Sequence, residues 1–147
     1  MCIRDLLKKK DKKVFTVQVQ QTIKEAIRLM NEKRIGALIV VNDSNEVKGI
    51  VTERDILIHI ESFSLSDQIG TIMTPAEKLI IVHEDDSVDY VMNIFTNNKI
   101  RHLPVFQDES FTGIISIGDA VKGILSEQRS ENKLLHDYIT GTYPVCS

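Results

Sequence analysis

Tryptophan is absent from this chain of 147 residues and aromatic residues make up only 5% of it. Its interior must therefore be assembled from aliphatic side chains. Excess positive charge is lacking as well: the formal net charge is -3 and the pI about 5.8. Without a global attraction to phosphate backbones, nucleic-acid binding is not expected as the main role. Cysteine is scarce. Cys2 and Cys146 stand near opposite ends without metal-ligand spacing between them, which fits thiols in a reduced cytosol and no disulfide framework. His59, His83, His102 and His136 share no helical or strand spacing with one another or with the cysteines, so no metal site is expected. No apolar run approaches the ~18 residues that a spanning helix needs, and the first residues lack the apolar core of a secretory signal. A soluble, cytoplasmic protein is expected. Ser-His-Asp order, an activated cysteine and a Walker-type glycine loop are all missing. Catalysis has no visible machinery, so the chain reads as a non-enzyme.

What is present is ordinary for a globular protein: 42% hydrophobic and 27% charged residues, enough to bury a sizeable core. The one basic run, Lys8-Lys9-Lys10-Asp11-Lys12-Lys13, reads first as a solvated helix end and loop, with a lysine-rich contact site as its alternative.

Periodicity divides the chain twice in the same way. Ile3 to Lys10 suggests a short amphipathic lead-in helix, and Val14 to Val19 alternates like a strand. Thr22-Ile23-Lys24-Glu25 is a capping box, and the helix it opens carries Ile23, Ala26, Ile27 and Met30 and ends near Lys33. Ala37–Val41 and Val47–Val51 form a hairpin across Asn42 to Asn45. A helix follows from Thr52 to about Ile60, then a polar connector from Ser62 to Gln68. The pattern restarts with a strand at Leu79–Val82, a helix capped by Ser87 with Val88, Val91 and Phe95, a strand at Leu103–Phe106 and its return at Thr112–Ile115. Ser116 opens a last helix running through Leu125, with Leu134, Leu135 and Tyr138 suggesting that it resumes or continues. Thr22 and Ser87 are 87 − 22 = 65 residues apart, as are Ile35 and Ile100; after the hairpin the offset becomes 116 − 52 = 64. This is one β-α-β-β-α unit used twice, a duplicated α/β domain. The expected organisation is a lead-in helix and basic linker at 1–13, repeats at 14–66 and 73–130, and a partly helical tail at 131–147.

Within the repeats one string recurs: Gly49-Ile50-Val51-Thr52-Glu53-Arg54-Asp55 and Gly113-Ile114-Ile115-Ser116-Ile117-Gly118-Asp119. Ser/Thr-x-x-Asp is in itself a helix-capping signature, the hydroxyl bonding a backbone N–H and the carboxylate favoured in the first turn. Three observations point beyond capping. Both copies end a strand, where a strand-to-helix turn offers N–H groups to an anion. Arg54 stands in a first turn, where the helix dipole disfavours a cation and a bound phosphate would relieve the conflict. Arg101-His102 adds basic character at the start of a strand. A carboxylate accepts two hydrogen bonds from a cis-diol, and a hydroxyl with helix N–H groups suits a phosphate. Such a pocket suits a ribonucleotide. The acidic cluster Glu84-Asp85-Asp86 precedes a helix start, which the dipole explains without catalysis.

The repeated unit, with Ile100-Arg101-His102-Leu103-Pro104-Val105 ahead of the second string, resembles the cystathionine-β-synthase (CBS) domain as a tandem pair, in the manner of stand-alone bacterial CBS-pair proteins and their organellar relatives. The resemblance spans about Lys8 to Ser130. It implies a pseudo-twofold pair that dimerises and binds adenosine-type ligands (AMP, ADP, ATP or NAD(H)) between its repeats, regulating a partner protein. It also implies roles. In one site Asp119 would hold ribose and Ser116 phosphate, with Ile81, Ile100 and His102 lining it and Arg101 near the phosphates. In the other, Asp55 and Thr52 take those roles, lined by Thr16, Ile35 and Ala37, and Arg54 is expected to serve a nucleotide held by Asp119. Met73-Thr74-Pro75 would lie beside the nucleotide. Gly36-Ala37 stands where the second half has Arg101-His102, so two unequal sites are expected, the Asp119 site the better formed. The competing expectation is a constitutive assembly module in which both aspartates merely cap helices.

Overall fold

The computed structural model describes residues 1–10 and 14–140, with side-chain surroundings given through Arg129. Helix α1 (Ile3–Lys9) opens the chain. The first repeat follows as β1 (Thr16–Gln18), α2 (Ile23–Lys33), β2 (Ala37–Val41), β3 (Val47–Thr52) and α3 (Glu53–His59). A two-residue strand, β4 (Thr74–Pro75), lies between one-turn 3-10 segments at Ile69–Thr71 and Ala76–Lys78. The second repeat is β5 (Val82–His83), α4 (Val88–Asn98), β6 (His102–Gln107), β7 (Ser110–Ser116) and α5 (Ile117–Thr140). The chain forms two compact units, one of Lys13–Ile80, the other of Met1–Lys12 with the chain from Ile81 onward.

The duplication is written into the backbone. In one unit β1 runs parallel to β2 and β2 antiparallel to β3; in the other β5 runs parallel to β6 and β6 antiparallel to β7. Thr22 Oγ1 accepts the Glu25 amide at 3.2 Å and Ser87 Oγ the Tyr90 amide at 3.1 Å, each satisfying a first-turn N–H that has no partner within its helix. Both helices stop on a left-handed residue, Arg34 at φ 54° and Lys99 at φ 53°. Both hairpins carry an irregularity in the same place, Val40/Val41 and Val105/Phe106. These pairs are each 65 residues apart (87 − 22, 99 − 34, 105 − 40).

Each unit has its own aliphatic core. In one, Val17, Ile23, Ala26, Met30, Leu38, Val40 and Val51 pack with Ile69 and Ile72; in the other, Val82, Val88, Val91, Phe95, Leu103, Val105, Ile115 and Ala120 pack with Ile3 and Leu6. The segment ahead of each repeat therefore completes the core of the opposite one. Ile3 and Leu6 precede Ile69 and Ile72 by 66 residues each (69 − 3, 72 − 6), and their backbone anchors correspond: the Ile3 amide donates to the Asp86 carbonyl at 2.9 Å, the Ile69 amide to Gln21 at 2.8 Å. Full burial of such side chains contributes roughly 1.5–3 kcal/mol apiece. The acidic cluster serves the same docking. Arg4 pairs with Asp85 and, at 3.5 Å, with Glu84, while the Glu84 and Asp86 carbonyls accept the amides of Arg4 and Ile3.

Some expectations are corrected. The strand expected at Leu79–Val82 pairs only from Val82, opposite Val105, because Leu79 still closes the 3-10 turn onto Ala76 and the chain is passing from one unit to the other at Ile80 and Ile81. Glu25 does not complete a capping box. Its carboxylate accepts from Gln21 Nε2 at 3.0 Å, while Thr22 bridges to Gln68. The expectation for the Cys2 and Cys146 thiols involves Cys146, which lies outside the described residues. The last helix is continuous to Thr140, with Leu134, Leu135 and Tyr138 beyond the described side chains.

Candidate nucleotide site

Each repeated string ends a strand and starts a helix, and the register of the sheet decides what lies beside it. In β6 and β7, His102 pairs with Ser116, and the Ile117 amide donates to the Arg101 carbonyl at 2.8 Å. In β2 and β3, Ala37 pairs with Thr52, and the Glu53 amide donates to the Gly36 carbonyl at 3.0 Å. Arg101-His102 is thereby tied to Ser116 and the first turn of α5, and Gly36-Ala37 to the first turn of α3. The contrast between a basic and a bland strand start, expected from sequence, falls beside the two motifs.

The motif glycines make room for different neighbours. A Cβ on Gly49 would lie 2.4 Å from the Thr74 carbonyl oxygen, where β4 pairs along β3. A Cβ on Gly113 would meet Leu7 of α1, its Cδ2 at 2.9 Å. The same string thus admits a strand in one unit and a helix side chain in the other.

The aspartates close reciprocal caps. Asp119 Oδ2 accepts the Ser116 amide at 2.9 Å while Ser116 Oγ accepts the Asp119 amide at 3.1 Å. Asp55 Oδ2 accepts the Thr52 amide at 2.9 Å while Thr52 Oγ1 accepts the Asp55 amide at 3.3 Å. Their remaining partners differ. Asp55 Oδ1 accepts from Thr74 Oγ1 at 3.1 Å, a neutral donor. Asp119 Oδ2 also accepts from Lys10 Nζ at 2.8 Å, and the same ammonium donates to the Ile114 carbonyl at 2.7 Å. Partial burial pushes the Asp119 carboxyl up, but the hydrogen bond and charge of Lys10, with the hydrogen bonds from Ser116, outweigh it and hold the group below the usual carboxylate range.

Sequence reasoning missed Lys10 and underused Thr74. Lys10 belonged to a run read as solvated, yet it is the residue that ends α1, and α1 is docked on the second repeat. The echo of Ile3 and Leu6 at Ile69 and Ile72 is the signal that places the segments after them, Lys10 and Thr74, against opposite motifs.

The other expected lining residues vary in exposure. Ile81 is 41% exposed, whereas Ile100 and Ile35 are half-buried and pack on their own unit's core. Ala37 is buried. Thr16 is exposed beside Ile39, and Arg101 and Arg54 are exposed at the start of β6 and in the first turn of α3. Arg54 and Asp119 belong to different units. Among the described residues no cluster of histidine, cysteine and carboxylate side chains is arranged to hold a metal ion, and no helix is long and apolar enough to cross a membrane.

Comparison with known proteins follows the duplication. The CBS domain family matches residues 3–62 and again 69–126. The CBS domain-containing protein CBSX3, mitochondrial, of Arabidopsis thaliana is 37% identical over 150 aligned positions, covering 96% of this chain and 73% of that protein. A putative signal-transduction protein with CBS domains from Burkholderia ambifaria is 37% identical with a TM-score of 0.79, covering 87% of this chain and 96% of that one. The CBS-domain protein ATU1752 of Agrobacterium tumefaciens is 33% identical with a TM-score of 0.78, at 84% and 98% coverage.

Proposed function

The chain belongs to the CBS-domain family, and from that premise we propose that it is a regulatory sensor that binds an adenosine nucleotide through Asp119 and transmits its occupancy to a partner protein. The observation that carries the proposal is the Asp119 carboxylate, held ionised at a strand-to-helix turn beside Ser116 and tied by backbone to Arg101-His102. A carboxylate in that setting is a receptor for ribose hydroxyls, and the Ser116 hydroxyl, first-turn amides and Arg101 suit a phosphate. Support comes from the CBS pair of protein MJ0100, 26% identical with a TM-score of 0.74, whose crystal structure is a complex with 5'-methylthioadenosine and S-adenosyl-L-methionine. CBSX2, which at 20% identity shares the fold, has been crystallised with AMP.

In this reading Ile81, Ile100 and His102 line the Asp119 site. AMP, ADP, ATP and NAD(H) are its candidate ligands. A homodimer whose shape the ligand shifts is the output, which requires that the ligand bind the two shapes with different affinity. The role is one of binding, not catalysis, and the cytoplasm is its proposed location; the mitochondrial designation of CBSX3 applies to that protein. A specific observation favours capping alone for Asp55. Both its oxygens already accept hydrogen bonds from Thr52 and Thr74, so the Thr52–Asp55 site with Thr16, Ile35 and Ala37 is the weaker receptor, and a constitutive assembly role is the second reading of the whole chain.

A thermal-shift panel separates the two. A nucleotide at about 100 times its dissociation constant stabilises the fold by about 2.7 kcal/mol, and Asp119→Asn is expected to remove most of that shift while keeping the cap geometry. Mass spectrometry of ligand carried through purification identifies the compound. No shift with any adenine nucleotide, together with no retained ligand, would establish the assembly role instead.

A further inference from the structure

Lys10 has only a partial choice of position. It ends α1, and α1 is fixed in the core of the second repeat by Ile3 and Leu6. Its ammonium spans the Ile114 carbonyl and Asp119 Oδ2, with side-chain exposures of 22% for Lys10 and 21% for Asp119. Oδ2 also accepts the Ser116 amide, so both of its acceptor positions are in use. Among the described residues Oδ1 accepts from none. A vicinal diol bound across a carboxylate takes both oxygens. Resting on the proposed binding of ribose at Asp119, that ligand must displace Lys10 from Oδ2.

The displaced ammonium would keep one carbonyl partner and lose its counter-charge in a largely covered position, which is unfavourable unless the ligand brings an anion of its own. We propose that Lys10 is a specificity-determining residue: it exchanges Asp119 for a phosphate of the ligand, and so makes this site prefer phosphorylated adenosine compounds to neutral adenosine. In the first repeat the corresponding partner of Asp55 among the described residues is the neutral hydroxyl of Thr74.

The test is a calorimetric comparison of AMP and adenosine binding to the full chain, to Lys10→Met, to Lys10→Arg and to Asp119→Asn. The parent chain is expected to favour AMP by about tenfold or more, the scale of one hydrogen bond between charged groups. Lys10→Met should bind adenosine more tightly and AMP more weakly, bringing the ratio toward one, and Lys10→Arg should restore the preference. An AMP-to-adenosine ratio unchanged by Lys10→Met, while Asp119→Asn abolishes binding, overturns the role of Lys10 and leaves the site intact. Binding of neither compound to any of the proteins, or binding indifferent to Asp119, overturns the site and the role of Lys10 together.

Discussion

Replacing Gly49 by alanine tests how the repeated string is built into its unit. The added Cβ would sit 2.4 Å from the Thr74 carbonyl oxygen and 3.2 Å from its carbonyl carbon. An ordinary carbon–oxygen contact is nearer 3.4 Å, so β4 would have to withdraw from β3 by about 1 Å, and the neighbour is backbone, which cannot rotate away. Overpacking of this kind costs typically 1–3 kcal/mol, against about 0.4–1 kcal/mol returned by the stiffer unfolded chain. The net expectation is a loss of roughly 1–2 kcal/mol. Withdrawal of β4 also carries Thr74 Oγ1 away from Asp55. Gly113→Ala is the control. Its Cβ meets only the end of the Leu7 side chain at 2.9 Å, which a rotamer adjustment of about 0.5–1.5 kcal/mol accommodates, leaving stability nearly unchanged. Urea unfolding followed by circular dichroism measures both. Gly49→Ala as stable as the parent, or Gly113→Ala the more damaging of the two, would refute this account of the glycines.

Three further expectations follow from the same geometry. Ser116→Ala removes the side-chain cap of α5 and should cost about 1 kcal/mol, measured as a lower urea midpoint with unchanged slope. Ile3→Ala and Ile69→Ala should each cost about 2–5 kcal/mol, although both lie outside the β-α-β-β-α units; a cost near zero for either would remove the exchanged-segment packing. Because Asp119 titrates below its unfolded value, its contribution is present above the unfolded pKa near 4 and is lost as pH falls through the lower folded value. In Lys10→Met the folded value moves back toward the unfolded one, so that acid-dependent loss should shrink, as followed by the pH dependence of urea stability in the two proteins side by side.

Much of the architecture was legible because local and long-range signals agreed. Thr22 and Ser87 announce their helices, and the continuous apolar run at Ala37–Val41 is a strand buried along its whole length. The repeat offset then aligned the two strings at Thr52 and Ser116 before any contact was known. What stayed hidden depended on contacts across the sequence. Nothing local shows that α1 docks on the second repeat, so Lys10 looked like one solvated lysine among several, 109 residues from the aspartate it meets. β4 was invisible because two residues carry no period, and Pro75 within it suggested an end to structure rather than an edge strand. Glu25 failed as a capping-box partner because Gln21, four residues earlier on the same face, competes for its carboxylate.

The most direct test of the central claim is an AMP titration by calorimetry on the parent chain, Asp119→Asn and Asp55→Asn under one set of conditions. The account predicts binding to the parent, a loss of about tenfold or more in Asp119→Asn, and a smaller change in Asp55→Asn. Binding weakened by Asp55→Asn but untouched by Asp119→Asn would contradict it.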